Sequence, residues 1–318
     1  MQVFVTGCAG FIASHLIESL LDDRHSVVGL DNLSSGSVWN INHLLDNPRF
    51  KFVAGDIRDN DLIRNLTKDV GLVYHLAAQI HVDKSYVDPV ETYEVNVLAT
   101  QRLLEACYLN DVPHIVYASS SEVYGSNMTD LPMSEEHVLA APHPYGASKV
   151  AADRMCYAYA KTYGMNISIV RSFNVFGPRQ REAGYGGVIS LFLRRILNNF
   201  PPVIFGSGTQ TRDYTYVTDT VRAYRAVSTF TTLDQARNSM PINFGTGVGI
   251  SIKDIALKLI QLSGKDLEPV YTDPRPGEVQ NLLCDYSRAR SLYHWKPEVS
   301  FDEGLKRYFD WYIKYGNR

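Results

Sequence analysis

Six short apolar runs in the first 172 residues, at 2–5, 26–30, 50–54, 72–75, 114–119 and 167–171, are separated by stretches with helical spacing. Strands that alternate with helices in this way predict a parallel sheet covered on both faces. Right-handed crossovers then give the doubly wound order, with a ligand crevice at the carboxyl ends of the strands. Residues 95–108 read as one long helix, with Val95, Leu98, Leu103 and Cys107 along an apolar stripe, and 145–163 as another, with Gly164 placed to end it. Past residue 172 the pattern loosens. Gly177-Pro178, 184–187, Pro201-Pro202 and 206–208 mark loops between helical stretches at 189–198, 219–227, 252–262 and 301–312. The expectation is therefore an α/β chain: a doubly wound domain over 1–172, then a smaller C-terminal lobe of loops and helices over 173–318 that binds substrate. Some segments of the lobe are expected to return to the first domain.

The first crossover carries the most chemistry. Thr6-Gly7-Cys8-Ala9-Gly10-Phe11-Ile12-Ala13 lies between the first strand and a helical run at 14–21. A strand, a glycine turn and a helix N-terminus form a site for a pyrophosphate. The spacing of Gly7, Gly10 and Ala13 departs from the two-spaced dinucleotide fingerprint, so the loop alone is compatible with a simple tight turn. Asp31 ends the second strand, 24 positions after Gly7, where a carboxylate would accept from the adenosine ribose hydroxyls. Asp56, at the end of the third, could accept from the adenine amino group. No arginine stands between Asp31 and Arg49 to receive a ribose phosphate, which favours NAD over NADP. Downstream, Tyr145 and Lys149 are four apart on one helix face. An ammonium beside a phenol stabilises the phenolate, so the tyrosine can act as a base near neutral pH. Either feature alone is commonplace; together they imply oxidoreductase chemistry.

Composition narrows the remaining choices. Net charge is −3, which gives no general pull toward nucleic acid or an anionic membrane. No apolar run approaches the roughly 20 residues that span a bilayer, and a strand at the first residues leaves no room for a signal peptide. Cys8, Cys107, Cys156 and Cys284 are widely scattered and the nine histidines lack zinc-ligand spacing, so a cytoplasmic chain with reduced thiols and no metal is expected.

With the glycine loop, Asp31, Asp56, His75-Leu76-Ala77-Ala78-Gln79, Ser119-Ser120-Ser121-Glu122-Val123-Tyr124-Gly125, the Tyr145/Lys149 pair and Phe173-Asn174-Val175-Phe176-Gly177-Pro178 in order, the chain resembles the extended short-chain dehydrogenase/reductases nearly end to end. More narrowly it is similar to their NAD-dependent branch of nucleotide-sugar epimerases and dehydratases, with Ala13 where that branch usually has a third glycine. The resemblance implies a Rossmann domain with NAD against Gly7, Gly10, Phe11, Ile12, Asp31, Asn32, Asp56, Ile57, Leu76, Ala77, Ala78, Tyr145 and Lys149. It makes Tyr145 the base for the sugar hydroxyl at carbon 4, Lys149 the group that lowers its pKa, and Ser120 a second hydrogen-bonding partner of that hydroxyl. Ser121, Asn174, Arg179, Arg212 and Arg275 would hold the nucleotide-diphosphate sugar, and a homodimer would form through the two long helices.

The reaction stays open between alternatives. Ser-Ser-Glu at 120–122 resembles the Thr-Ser-Glu of some 4,6-dehydratases and of UDP-glucuronate decarboxylases, and Glu122 would then take the carbon 5 proton. It departs from the Thr-Asp-Glu of dTDP-glucose dehydratases, since Ser121 replaces the acid that protonates the leaving hydroxyl. Residues 80–85 and 282–285 also resemble dehydratases. A 4-epimerase, which needs no such carboxylate, is the next reading; a decarboxylase and a catalytically idle NAD-binding regulator follow.

Overall fold

The computed structural model describes residues 1–126, 131–180, 187–229, 239–274 and 279–316. Contacts divide it into two units. One comprises Met1–Val123, Leu139–Ser172 and Val221–Ile242, the other Tyr124–Val138, Phe173–Thr220 and Asn243–Arg318.

The first unit is built on β1 (Gln2–Thr6), β2 (Ser26–Asp31), β3 (Phe50–Ala54), β4 (Leu72–His75), β5 (Ile115–Ala118) and β6 (Ile167–Ser172). Their order in the sheet is β3-β2-β1-β4-β5-β6, and every pairing among them is parallel. Helices α1 (Phe11–Asp22), α2 (Asn60–Leu66), α3 (Val82–Val87), α4 (Pro89–Tyr93), α5 (Ala99–Leu109) and α6 (Pro144–Tyr163) follow their strands. The strands read as unbroken apolar runs because both faces are covered: Val3, Phe4 and Val5 have no exposed surface. Burying each such side chain contributes roughly 1.5–3 kcal/mol.

The strand order reverses between β1 and β4, so the chain ends of these two strands open a crevice. Polar groups fix its floor. Thr6 and His75 are register partners, and the Thr6 hydroxyl accepts from the Ala77 amide at 3.1 Å. It lies 2.8 Å from His75 Nδ1, while His75 Nε2 lies 2.8 Å from the Thr100 hydroxyl. Since Thr100 donates its own proton to the Asn96 carbonyl, His75 must donate from Nε2 and accept at Nδ1. Burial holds the imidazole neutral, with its pKa lowered to about 3.

Two expectations need correction. The helix expected over 95–108 begins earlier and is interrupted: α4 runs into a π-turn at Glu94–Leu98 before α5 resumes the regular pitch. Asn96 lies in that turn, where its side chain bonds the Gln79 backbone twice and the Ser148 hydroxyl. A local polar bridge thus outweighs regular helical spacing. The lobe expected to consist of loops and helices also contains strands. The seventh strand of the large sheet, beyond β6, is Pro241–Phe244. In the second unit β7 (Asn174–Phe176), Gly249–Ser251 and Asn281–Leu282 all pair with β9 (Thr211–Tyr216), and β8 (Val203–Phe205) pairs with Val270–Thr272. These strands are two to six residues long, too short for a periodic signal. Helix α7 (Val188–Leu197), α8 (Val217–Ser228) and the helices Ile252–Ser263, Ser287–Tyr293 and Phe301–Tyr315 follow among the described residues.

Candidate active site

The glycine loop forms one half of the site in the first unit. Gly7 has φ +70° and its backbone passes so near β4 that a Cβ there would meet the Ala77 amide nitrogen at 2.8 Å. At Gly10 a Cβ would lie 2.9 Å from the Gly7 carbonyl. Only glycine fits either position. Gly10 also precedes α1 without a capping side chain, leaving the first-turn amides of Phe11 and Ile12 uncapped by any side chain. The Asp31 carboxylate is drawn inward, accepting from the Ala9 amide at 2.9 Å and the Leu33 amide at 2.7 Å. Burial raises its pKa, and those two amide bonds pull it back. Asp56 accepts from Asn32 Nδ2 and from Arg58 through Nε, Nη2 and the backbone amide. Its carboxyl sits far below the ordinary range because of Arg58. Ile57 is buried beside it, and Leu76, Ala77 and Ala78 follow β4.

The other half lies where β5 ends and α6 begins. Pro144 occupies the first turn of α6 and His143 caps it, its Nδ1 accepting from the Gly146 amide at 3.0 Å. That start sets Tyr145 and Lys149 one turn apart on the buried side. The Ser85 hydroxyl accepts from the Tyr145 amide, and the Ser148 hydroxyl donates to the Tyr145 carbonyl. Burial raises the Tyr145 phenol to about 12; a hydrogen bond with Ser120 lowers it and the Glu122 charge raises it further. Glu122 Oε2 lies 3.2 Å from His143 Nε2. Ser121 is buried.

Lys149 is directed otherwise than expected. Its ammonium donates to the Ala118 carbonyl at 2.5 Å and lies over the Tyr117 ring, 4.6 Å from the centroid. Desolvation lowers its pKa to about 8. The phenol is thus raised where a lowered value was expected, because burial outweighs the hydrogen bond from Ser120.

Behind this pair stands a cluster that spacing alone did not single out. Asp153, four residues after Lys149, accepts from the Ser119 hydroxyl at 2.7 Å and from Arg171 at two nitrogens, 2.9 Å each. Burial by itself would raise the Asp153 carboxyl, but Arg171, with Arg154 behind it, holds it below its ordinary value. The cluster fixes the end of β5 to the middle of α6. Its signal was present in the sequence as Tyr145, Lys149 and Asp153 at intervals of four.

In the second unit Asn174 begins β7 and Arg212 lies on the adjoining β9. The Asn174 Oδ1 atom is buried without a hydrogen-bond partner among the described residues, and Arg212 Nη1 donates to the Thr211 and Gln280 carbonyls. Next to Arg212, buried Asp213 accepts from the Thr246 amide and hydroxyl and from the Gly247 and Cys284 amides. Arg179 has φ +69°, and Arg275 lies outside the described residues. Among the described residues no cluster is arranged to hold a metal ion, and no helix is long and apolar enough to cross a membrane.

A glycine loop at a switch point and a serine–tyrosine–lysine group on one doubly wound sheet define a class of dinucleotide-dependent enzymes. The comparisons with known proteins narrow it. Residues 4–308 match the family model described as GDP-mannose 4,6 dehydratase. A putative UDP-glucose 4-epimerase of Methanocaldococcus jannaschii is 39% identical over 318 residues, 100% of both chains. The UDP-glucose 4-epimerase of Thermotoga maritima, solved with UDP-glucose, superposes with a TM-score of 0.93 at 33% identity over 99% of each chain. A dTDP-glucose 4,6-dehydratase of Streptomyces venezuelae, solved with NAD, gives a TM-score of 0.92 at 30% identity, covering 99% of this chain and 98% of the other. The chain belongs to the nucleotide-sugar epimerase/dehydratase family of the extended short-chain dehydrogenase/reductases.

Proposed function

We propose that this chain oxidises carbon 4 of a nucleotide-diphosphate sugar, passes through a transient 4-keto sugar, and ends as an NDP-hexose 4,6-dehydratase. The observation that carries the dehydratase reading is a carboxylate beside the candidate base: Glu122 lies 3.2 Å from His143 Nε2, and the His143 ring stacks on Tyr145.

The glycine loop fits NAD. Gly7 and Gly10 allow a turn too tight for any side chain, the first-turn amides of α1 would be free to meet a pyrophosphate, and Asp31 would repel a ribose phosphate. Asn32, Asp56, Ile57 and Leu76 to Ala78 would line the rest. NAD, when bound, would supply the oxidant for carbon 4 and return the same hydride to carbon 6 after water has left, ending in its oxidised form.

The residues do the proton chemistry. Tyr145, as phenolate, takes the proton of the carbon 4 hydroxyl while Ser120 orients that oxygen. To act, the phenol must come down from about 12, and Lys149, a cation one turn along the same helix face, is assigned that role when NAD and substrate occupy the site. The new ketone acidifies carbon 5, and Glu122 removes that proton as the carbon 6 hydroxyl leaves; once carbon 6 is reduced, carbon 5 takes a proton from solvent, so the net change is loss of water. Ser121 is buried and no acid, so Glu122 must return the proton to the leaving oxygen itself or through water. Asn174, Arg179, Arg212 and Arg275 are assigned to the diphosphate, whose paired negative oxygens suit guanidinium and amide donors. We assign the first unit to NAD, the second to the sugar nucleotide, and the enzyme to the cytoplasm as a homodimer.

A second reading, the 4-epimerase, is favoured by the names of the M. jannaschii and T. maritima proteins and by the serine at 121. Incubation with UDP-, dTDP- and GDP-hexoses in deuterated water separates the two. A dehydratase yields a 4-keto-6-deoxy sugar with deuterium at carbon 5, and Glu122→Gln stops at the 4-keto sugar with its carbon 6 hydroxyl retained. A product epimeric at carbon 4 with no solvent deuterium would establish the epimerase. Failure to turn over any nucleotide sugar would overturn both.

A further inference from the structure

We infer that His143 is a positioning residue that holds the Glu122 carboxylate in place through one fixed, neutral tautomer. The inference rests on Glu122 belonging to the reactive site, as read above.

The argument begins with the helix start. The Gly146 amide donates to His143 Nδ1 at 3.0 Å, so that nitrogen must present its lone pair. The single proton of the neutral ring is then on Nε2, which lies 3.2 Å from Glu122 Oε2 and donates to it. A second proton would have to enter at Nδ1 and would displace the helix cap. The ring is therefore a hydrogen-bond donor to the carboxylate and not a proton source for the reaction.

The packing leaves the imidazole little freedom. His143 is 6% exposed. Its ring stacks on Tyr145 with centroids 6.1 Å apart and planes inclined by 11°, and Tyr86 meets it edge-on at 6.4 Å. Pro144 fixes the backbone on one side. On the other, Gly146 approaches so closely that a Cβ would lie 2.9 Å from the Glu122 carbonyl and 3.1 Å from His143 Cε1. The same residue thus caps the helix that carries Tyr145 and restrains the carboxylate of the segment that carries Ser120. That coupling sets the distance between Glu122 and the phenol, which a catalytic carboxylate requires to within a fraction of an ångström.

His143→Asn separates the two roles, because an asparagine oxygen caps the Gly146 amide but its side chain is too short to reach Glu122. The variant should unfold at the wild-type urea midpoint, with kcat about 10- to 100-fold lower and KM little changed. Placed on Glu122→Gln it should add no further loss, since the carboxylate that His143 positions is already gone. Wild-type kcat in His143→Asn, or a full additional loss on Glu122→Gln, would overturn the proposal. Long-range nitrogen–proton NMR of histidine-labelled wild-type protein tests it without turnover. The expected spectrum has Nε2 protonated and Nδ1 bare at neutral pH, with the Nε2 shift altered in Glu122→Gln. Protonation at Nδ1 would refute the inference even if His143→Asn failed to fold. Should no nucleotide sugar be turned over, the assigned reaction fails while the NMR result still decides the tautomer.

Discussion

At the scale of single residues, the reactive groups are distinguished by burial. Tyr145 and Lys149 are both desolvated, which pushes the phenol up to about 12 and the ammonium down to about 8. If Tyr145 is the base proposed for the carbon 4 proton, Tyr145→Phe should lower kcat by about 10³-fold while NAD still copurifies, since the ring alone holds the packing. Product assays and the absorbance of the released nucleotide check both halves; activity within tenfold of wild type would sink the assignment. Lys149 gives a prediction about stability. Its folded value of about 8 lies below its ordinary 10.5, so between these pH values the unfolded chain binds more protons than the folded one. Stability from this group therefore rises with pH across that window, by about 3 kcal/mol in all. Urea unfolding of nucleotide-free wild type and Lys149→Met, compared at several pH values, should show the wild type gaining on the variant from about pH 8 upward. A difference that stays flat would mean that the lysine is not desolvated.

At the scale of elements, two glycines with the same backbone conformation make a controlled comparison. Gly7 and Gly164 have φ of +70° and +67°, yet a Cβ at Gly164 would meet nothing within 4 Å. Gly164→Ala at the end of α6 should cost only the left-handed strain, about 1 kcal/mol. Gly7→Ala should cost about 3 kcal/mol or more and abolish NAD copurification, because the methyl would press on the Ala77 backbone. Equal urea midpoints for the two variants would contradict the close approach of the loop to β4. The six strands and the two long helices were legible because buried parallel strands are continuous apolar runs and because Gly164 ends α6 recognisably. The π-turn at Glu94–Leu98 was not, since it depends on Asn96 bonding to Gln79 and Ser148, residues distant in sequence.

At the scale of the whole molecule, the proposed homodimer is the prediction that remains. Leu98, Tyr108, Leu109 and Tyr163 lie exposed on the helical stretch that ends in α5 and on α6, between 45% and 50% accessible. Met155 and Tyr159 lie part-buried on α6, where the Tyr159 hydroxyl accepts from Gln101 Nε2. Pairing of these helices with a second copy would cover that apolar surface as a four-helix bundle. Light scattering at micromolar concentration should give twice the chain mass, and Leu109→Glu with Tyr163→Glu should reduce it to one.

The sequence by itself determined the doubly wound class and the glycine turn followed by Asp31, and it singled out Ser120, Glu122, Tyr145 and Lys149 as the candidates proposed for the chemistry. Each rests on local spacing: strands of consecutive apolar residues, a turn that only glycine can make, a helix face repeating every four residues. Tertiary structure decided the rest. It alone placed Pro241–Phe244 as the seventh strand, joined Asp153 to Arg171 and Ser119, turned Lys149 toward Ala118, and brought His143 onto Glu122, 21 positions away. These arrangements join separate segments of chain, and whether a buried charge finds its partner is settled by packing in three dimensions, which one-dimensional periodicity does not encode.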